Sequence, residues 1–262
     1  MKNISDKKRI VIKLGTSTLA HKTGKLNIRR MNNLVRVISD LSNSGREIIL
    51  VSSGAVGLGA GKLGLSEKPK DTRTKQAVAA IGQCELMHIY DDMFAKYSIT
   101  VAQILLTKTI IANSDHSKNF ENTIEKLLSM GVIPIVNEND TIAIDELELE
   151  IGENDSLSAI VATLAGADLL LILSDIDCLY DSDPHVNPSA KPITVVEKIT
   201  PEIENAAGGA GSSLGTGGMA TKINAAKIAC EAGIDMVIMN GNNPDMLYDL
   251  FDNKEVGTLF IA

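Results

Sequence analysis

The feature that most limits what this chain can fold into is an alternation of short apolar, β-branched runs with longer stretches of helical spacing. Arg9–Leu14 (RIVIKL) reads as a strand. Ile28, Met31, Leu34, Val35, Ile38 and Leu41 then recur at helical intervals, with Asn27 placed to cap that helix and Gly45 just past its end. The same reading predicts strands at 48–51, 100–106, 132–136, 169–173 and 236–239. It predicts helices at 71–97, 114–130, 156–165 and 219–232. Strands without polar alternation, separated by helices, must be covered on both faces. The expectation is therefore an α/β fold, a three-layer α/β/α sandwich with a mainly parallel central sheet. In such sheets ligands sit beyond the carboxyl ends of the strands, which directs attention to 15–17, 52–54, 137–140 and 174–177.

A chain of 262 residues can bury a core of this kind without disulfides or metals. No Pro/Gly/Ser-rich linker and no internal repeat divides it, so 1–262 reads as one domain. Apolar residues at 44% and charged residues at 22% are ordinary for a soluble globular protein. Asp and Glu number 33 against 25 Lys and Arg, a net charge of −8, which argues against a grip on nucleic-acid backbones. Aromatics at 3%, with no Trp, offer no stacking platform for single strands. Cys84, Cys178 and Cys230 are far apart and form no CxxC or Cys/His cluster, so neither a disulfide framework nor structural zinc is expected. Lys7, Lys8 and Arg9 are followed by only three apolar residues before Lys13, too few for a signal peptide. The apolar stretch 164–173 is broken by Asp168, so no membrane span is expected and the chain reads as cytoplasmic and reduced.

Some patterns are decoys. Gly59, Gly61 and Gly64 match G-x-G-x-x-G, but the match starts several residues after a strand and has no acidic residue about 20 positions later on a second strand end. It reads as a small-residue helix built for close packing. Leu63 follows Gly61 and Lys62, so there is no Walker A loop. His21, His88, His116 and His185 show no metal spacing, and Met87, Met93 and Phe94 read as core filler on one long helix.

The chemistry lies elsewhere. Lys13 stands inside a strand between Ile12 and Leu14, where an edge lysine and a phosphate ligand are both open readings. Gly15, Thr16 and Ser17 after it let backbone N–H groups approach an anion and favour the second. Ser52, Ser53, Gly54 and Ala55 end the next strand in the same style. The Gly-rich stretch 206–218 runs into a helix whose N-terminus points back at it, with Lys222 in the first turns; the competing reading is a surface loop with a solvated lysine. Asn137, Glu138, Asn139 and Asp140 follow an apolar strand, and Gly152, Glu153, Asn154 and Asp155 open a helix. Residues 141–151 between them read as a hairpin with solvated acids. Helix capping accounts for Asn154 or Asp155 alone, but less well for the repeat at two loops on one sheet edge. Two lysines, Gly-rich turns and acidic loops together fit phosphoryl transfer from Mg²⁺-ATP, whose roughly two residual negative charges the lysines would offset. In a net acidic chain that attraction has to be local.

Lys13 to Ser17 (KLGTS), Ser53-Gly54-Ala55, the NEND of 137–140, the GEND of 152–155, and the GTGGM of 215–219 with Lys222 together resemble the glutamate 5-kinase family of the amino acid kinase superfamily. The resemblance runs in register from about Arg9 to Phe260; the NEND, GEND and GTGGM combination is specific, whereas KLG is shared across the superfamily. It implies the amino acid kinase fold, with a substrate side to about residue 165 and a nucleotide side from about 166 to 262. It implies ATP-dependent phosphorylation of the γ-carboxylate of L-glutamate, with Mg²⁺, for proline synthesis. By matching positions it implies that Lys13 and Lys222 bind the ATP phosphates and stabilise the transferring group, with Asp155 orienting both. Ser53, Asp140 and Asn154 would hold glutamate, with Asn137 nearby. Thr216, Gly217, Gly218, Met219, Ala220, Thr221 and Lys222 would form the phosphate-side loop, while Ser174 and Asp175 line the nucleoside site. No protein ligand to a metal is implied.

Glu153 stands where the family often has Asp, Ser174 where Thr is usual, and Cys178 in place of a common Gly. Many relatives add a C-terminal RNA-modification-enzyme-like (PUA) domain, and this chain is expected to be the form without it. The resemblance further implies feedback inhibition by proline and a homo-oligomer, dimer or tetramer. Two other readings stay open: another superfamily phosphotransferase, acting on carbamate, acetylglutamate or a nucleotide, and a catalytically silent amino-acid sensor. The NEND/GEND pair speaks against a nucleotide substrate, which needs no partner for an ammonium. Lys13, Lys222 and Asp155 together speak against the sensor.

Overall fold

The computed structural model describes residues 3–21, 25–65, 67, 69–107, 113–142, 154–182, 184, 187, 189–206 and 218–262. The first half contains β1 (Arg9–Leu14), α1 (Thr16–Leu19), α2 (Ile28–Asn43), β2 (Glu47–Val51), α3 (Ala55–Lys62), α4 (Thr72–Ala95), β3 (Val101–Leu106), α5 (Ser114–Ser129) and β4 (Ile133–Glu138). The second contains α6 (Asn154–Leu164), β5 (Leu169–Ser174), β6 (Leu179–Tyr180), β7 (Pro192–Ile193), β8 (Val195–Val196), α7 (Pro201–Ala206), α8 (Met219–Glu231), β9 (Asp235–Asn240), α9 (Met246–Phe251) and β10 (Thr258–Phe260). The strands and helices read from periodicity are all present, with ends shifted by a residue or two. Asn27 caps α2 as expected, accepting from the Arg30 N–H, and Asp71 caps α4 by accepting from Thr74 N–H at 2.9 Å.

Eight strands form one sheet in the order β3-β4-β2-β1-β5-β9-β10-β8. From β3 to β9 every pairing is parallel, and only β10 runs against its neighbour β9. The chain moves outward from β1 to one side through β2 and to the other through β5, so a topological switch point opens at the carboxyl end of β1.

Side-chain parity along β1 divides the core. Ile10, Ile12 and Leu14 face one layer, with Leu34 and Ile38 of α2, Leu86 and Phe94 of α4, and Leu247 of α9. Val11 faces the other, with Phe120 of α5, Leu157 and Val161 of α6, and Ile223 and Ala226 of α8. This is the expected three-layer sandwich. The G-x-G-x-x-G decoy resolves into α3 lying against α4: a Cβ on Gly59 would fall 2.0 Å from the Val78 carbonyl oxygen. Met93 and Phe94 are core, Met87 packs against it, and His21, His88 and His116 are exposed. His185 and most of the proposed hairpin, 143–151, lie outside the described residues. No helix among the described residues is long and apolar enough to cross a membrane.

Candidate active site

Lys13 shares the face of Val11, the side covered by α6 and α8, because alternate residues of a strand point the same way. It is central in the sheet, hydrogen-bonded between β2 and β5, so the edge-lysine reading falls. Its ammonium Nζ stands 2.6 Å from Asp155 Oδ1, with 11% of the side chain exposed against 1% for the aspartate. Lys222 reaches the same carboxylate from α8, donating to Oδ2 at 3.2 Å with its side chain 6% exposed, so it is not a solvated surface lysine. Thr221 Oγ1 donates to Oδ2 at 2.8 Å. Among the described residues Oδ1 takes no aligned hydrogen bond, and its partner is the Lys13 charge. Two buried cations thus converge on one anion, and the trio carries a net positive charge.

Burial is the largest single influence on the Asp155 carboxyl and pulls its pKa upward. The charges of Lys13 and Lys222, the close contact with Lys13 and the Thr221 hydroxyl together outweigh it, leaving the pKa below the ordinary carboxylate value. Asp155 is therefore an anion in the folded protein. It lies in the first turn of α6, but its oxygens go to the lysines and Thr221 rather than to a cap.

The neighbouring residue works on a different set of groups. Asn154 Nδ2 donates to the Ser52 carbonyl at 2.7 Å and to Ser53 Oγ at 2.6 Å, and lies 3.3 Å from Asn137 Oδ1. Ser53, Asn137 and Asn154, three of the residues implicated from sequence, are thus joined. Two residues that sequence reasoning missed complete the network from α4. Gln83 Oε1 accepts from Asn137 Nδ2 at 2.8 Å, and the Tyr90 hydroxyl lies 2.9 Å from Ser52 Oγ, its own pKa pushed up by burial. The signal was available: two polar residues seven positions apart share one face of an otherwise apolar helix side. Gly54, at φ +97°, makes the left-handed turn from β2 into α3 that a side chain would strain. A Cβ there would lie 3.7 Å from Thr16 Cγ2, so the turns after β1 and β2 stand side by side.

Asp140 follows β4, in the turn where Ile142 N–H donates to the Asn139 carbonyl, and it makes no hydrogen bond to the Asn154 network. Burial first, and the charge of Glu138 second, push its pKa up to about 6. On the other side of β1, Ser174 ends β5 and donates to Asp175 at 3.1 Å, a pair separate from the lysine cluster. Gly218 caps α8 without any side-chain hydrogen bond, so no side chain at that position takes up the first-turn N–H groups. Gly218 and Met219 are half-buried and Ala220 is exposed. Thr216, Gly217 and Glu153 lie outside the described residues.

Comparison with known proteins gives the family and the fold. Residues 8–240 match the family model described as "Amino acid kinase family". A protein of Clostridium perfringens named "Glutamate 5-kinase" is 56% identical over 263 residues, spanning 100% of this chain and 98% of its own. One of Listeria innocua with the same name is 49% identical, spanning 99% and 95%. Among solved structures, carbamate kinase from Giardia lamblia bound to AMP-PNP superposes with a TM-score of 0.69 at 14% identity, covering 98% of this chain and 99% of that one. UMP kinase from Bacillus anthracis gives 0.67 at 18%, covering 97% and 96%. At those identities the structural likeness speaks for the fold alone.

Proposed function

This chain belongs to the amino acid kinase family and, within it, to the glutamate 5-kinases; from that membership and the site geometry we propose how it phosphorylates the γ-carboxylate of L-glutamate with ATP, the first step of proline biosynthesis. The observation that carries the reading is one buried carboxylate, Asp155, held by two lysines, one from β1 and one from α8.

The nucleophile needs no general base, because a free carboxyl titrates near ~4 and is already ionised at neutral pH. One γ-carboxylate oxygen of glutamate bonds to the γ-phosphorus of ATP as the bond to the β–γ bridging oxygen breaks. The electron pair leaves with ADP, and the product is L-glutamyl 5-phosphate. Such transfers spread charge over the phosphoryl oxygens, so the protein's contribution is positioning and cationic stabilisation. Lys13 and Lys222 supply that charge, and Asp155 fixes where their ammonium groups stand. The N-terminus of α8, where Gly218 offers no capping side chain, adds backbone N–H groups for the phosphates.

Substrate is held from the β2, β4 and α6 side. Because Ser53 Oγ accepts from Asn154, its own proton is directed elsewhere, toward a substrate carboxylate. Asp140 pairs with the substrate ammonium. Residues to about 165 thus form the substrate side, and those from about 166 the nucleotide side, where Ser174 and Asp175 contact the nucleoside. Asp155 is occupied by ammonium groups. Mg²⁺ would ride on the nucleotide's own phosphates and would neutralise their charge there.

Incubation with ATP, Mg²⁺, glutamate and hydroxylamine tests the reading through hydroxamate formation. Product with a different acid and none with glutamate would reassign the substrate, and no product with any acid would leave a sensor. Proline inhibition, a homo-oligomer and a cytoplasmic location complete the proposal. An activity flat across a proline titration, or a monomer in sedimentation, would remove the first or second of these.

A further inference from the structure

Gln83 is 7% exposed and, apart from Tyr90, shares its face of α4 with the apolar Ala79, Leu86 and Phe94. Backbone groups set the direction of every amide around it. The Ser52 carbonyl can only accept, so Asn154 must present Nδ2 to it. The Glu138 N–H can only donate, at 2.9 Å, so Asn137 must turn Oδ1 toward it and Nδ2 away. Gln83 therefore has to offer Oε1 to Asn137, which leaves its Nε2 buried with no acceptor among the described residues. A core residue that strands a donor in this way costs stability, and an apolar side chain would fill α4 without that penalty.

We infer that Gln83 is a positioning residue for the carboxylate substrate: by holding Asn137 it keeps Asn154 and the Ser53 hydroxyl in the arrangement that receives glutamate. The inference rests on the substrate reading above. It assigns Gln83 to substrate affinity and not to the phosphoryl-transfer step, since nothing in its hydrogen bonding reaches Asp155 or the lysines.

The test is steady-state kinetics on Gln83→Leu and Gln83→Glu, varying glutamate and ATP separately, with thermal unfolding of each variant. Gln83→Leu strands Asn137 Nδ2 but removes the orphaned donor, so Tm should stay close to that of the parent protein. The glutamate KM should rise about tenfold, the scale of one lost buried hydrogen bond, with kcat and the ATP KM within about twofold. Gln83→Glu keeps an oxygen facing Asn137 in either protonation state and should recover most of the glutamate KM. If Gln83→Leu does not fold, Gln83→Met serves in its place. A lowered Tm with no glutamate-selective change, or Gln83→Glu as impaired as Gln83→Leu, would overturn the inference. Failure of the parent protein to act on glutamate is seen before any substitution, and it would overturn the substrate reading and this inference together.

Discussion

Replacing Asp155 by Asn keeps the shape of the side chain and removes the one charge that two buried ammonium groups share. Lys13 and Lys222 would then face each other with side chains 11% and 6% exposed and no carboxylate between them. Breaking a buried ion pair by removing one partner costs ~3–5 kcal/mol. The lower end applies here, because the asparagine oxygen still accepts from one lysine and Lys13 keeps some contact with solvent. A loss of ~3 kcal/mol in a chain of this size corresponds to a Tm lower by about 6–12 °C. Turnover should fall by about 10²–10³-fold, since the cations lose their fixed positions. The assay is thermal unfolding with and without tripolyphosphate, alongside the hydroxamate assay. Tripolyphosphate supplies the missing negative charge, so it should raise the Tm of Asp155→Asn more than that of the parent protein. The pH dependence has a definite sign. The Asp155 carboxyl is held below its ordinary value, so its stabilising contribution is complete above ~4 and disappears only as pH falls through the lower folded value. Asp155→Asn should flatten that acid limb. A Tm within 2 °C of the parent, with near-normal turnover, would refute the claim that this carboxylate organises the site.

Three further outcomes are expected. Lys222→Ala should lower kcat by about a hundredfold or more while the glutamate KM moves only a few-fold; a raised KM at unchanged kcat would remove Lys222 from the transition state. With Asp140 pushed up to about 6, the glutamate KM should rise as pH drops through that value, because the anion proposed to pair with the substrate ammonium is lost. The raised pKa also means that Asp140 contributes stability as pH falls from about 6 toward ~4, and Asp140→Asn should abolish both trends in pH-resolved kinetics and melts. Gly82→Ala would place a Cβ 1.7 Å from the Ala55 carbonyl oxygen, forcing α3 and α4 apart; a loss of ~3 kcal/mol or more should appear in the urea midpoint.

The sheet is legible because its strands are buried on both faces: a run such as RIVIKL has no other stable use. The same reasoning locates Lys13, and strand parity even says that it shares a face with Val11. What one sequence does not contain is which helices cover that face. Asp155 and Lys222 are 67 positions apart, and no local spacing relates them. Without the family resemblance, their pairing waits for the structure. The short pieces are illegible for a different reason. β10 is three residues long and reversed, so it shows no period and depends on β9 and β8 for its partners. Gln83 and Tyr90 fall between these cases. Helical spacing puts them on one face, but an apolar helix with two polar residues is equally consistent with a stripe facing water until the strand ends they meet are known.

The two halves of the site meet in two consecutive residues. Successive helical residues diverge by about 100°, so Asn154 and Asp155 at the start of α6 cannot serve the same partners. Asn154 is tied to Ser52, Ser53 and Asn137, the ends of β2 and β4, while Asp155 is tied to Lys13 of β1 and Lys222 of α8. A single turn of helix thus sets the distance between the Asn154, Ser53 and Asn137 network and the cations, and the apolar packing of Leu157 and Val161 behind it keeps that turn in place. In-line transfer requires the attacking oxygen and the phosphorus to be held to within fractions of an ångström, which flexible side chains on separate loops would not do. Two adjacent residues on one rigid element remove that freedom. On the proposed roles, a perturbation that enters through Gln83 and Asn137 should be read in glutamate affinity, and one that enters through the lysines in turnover.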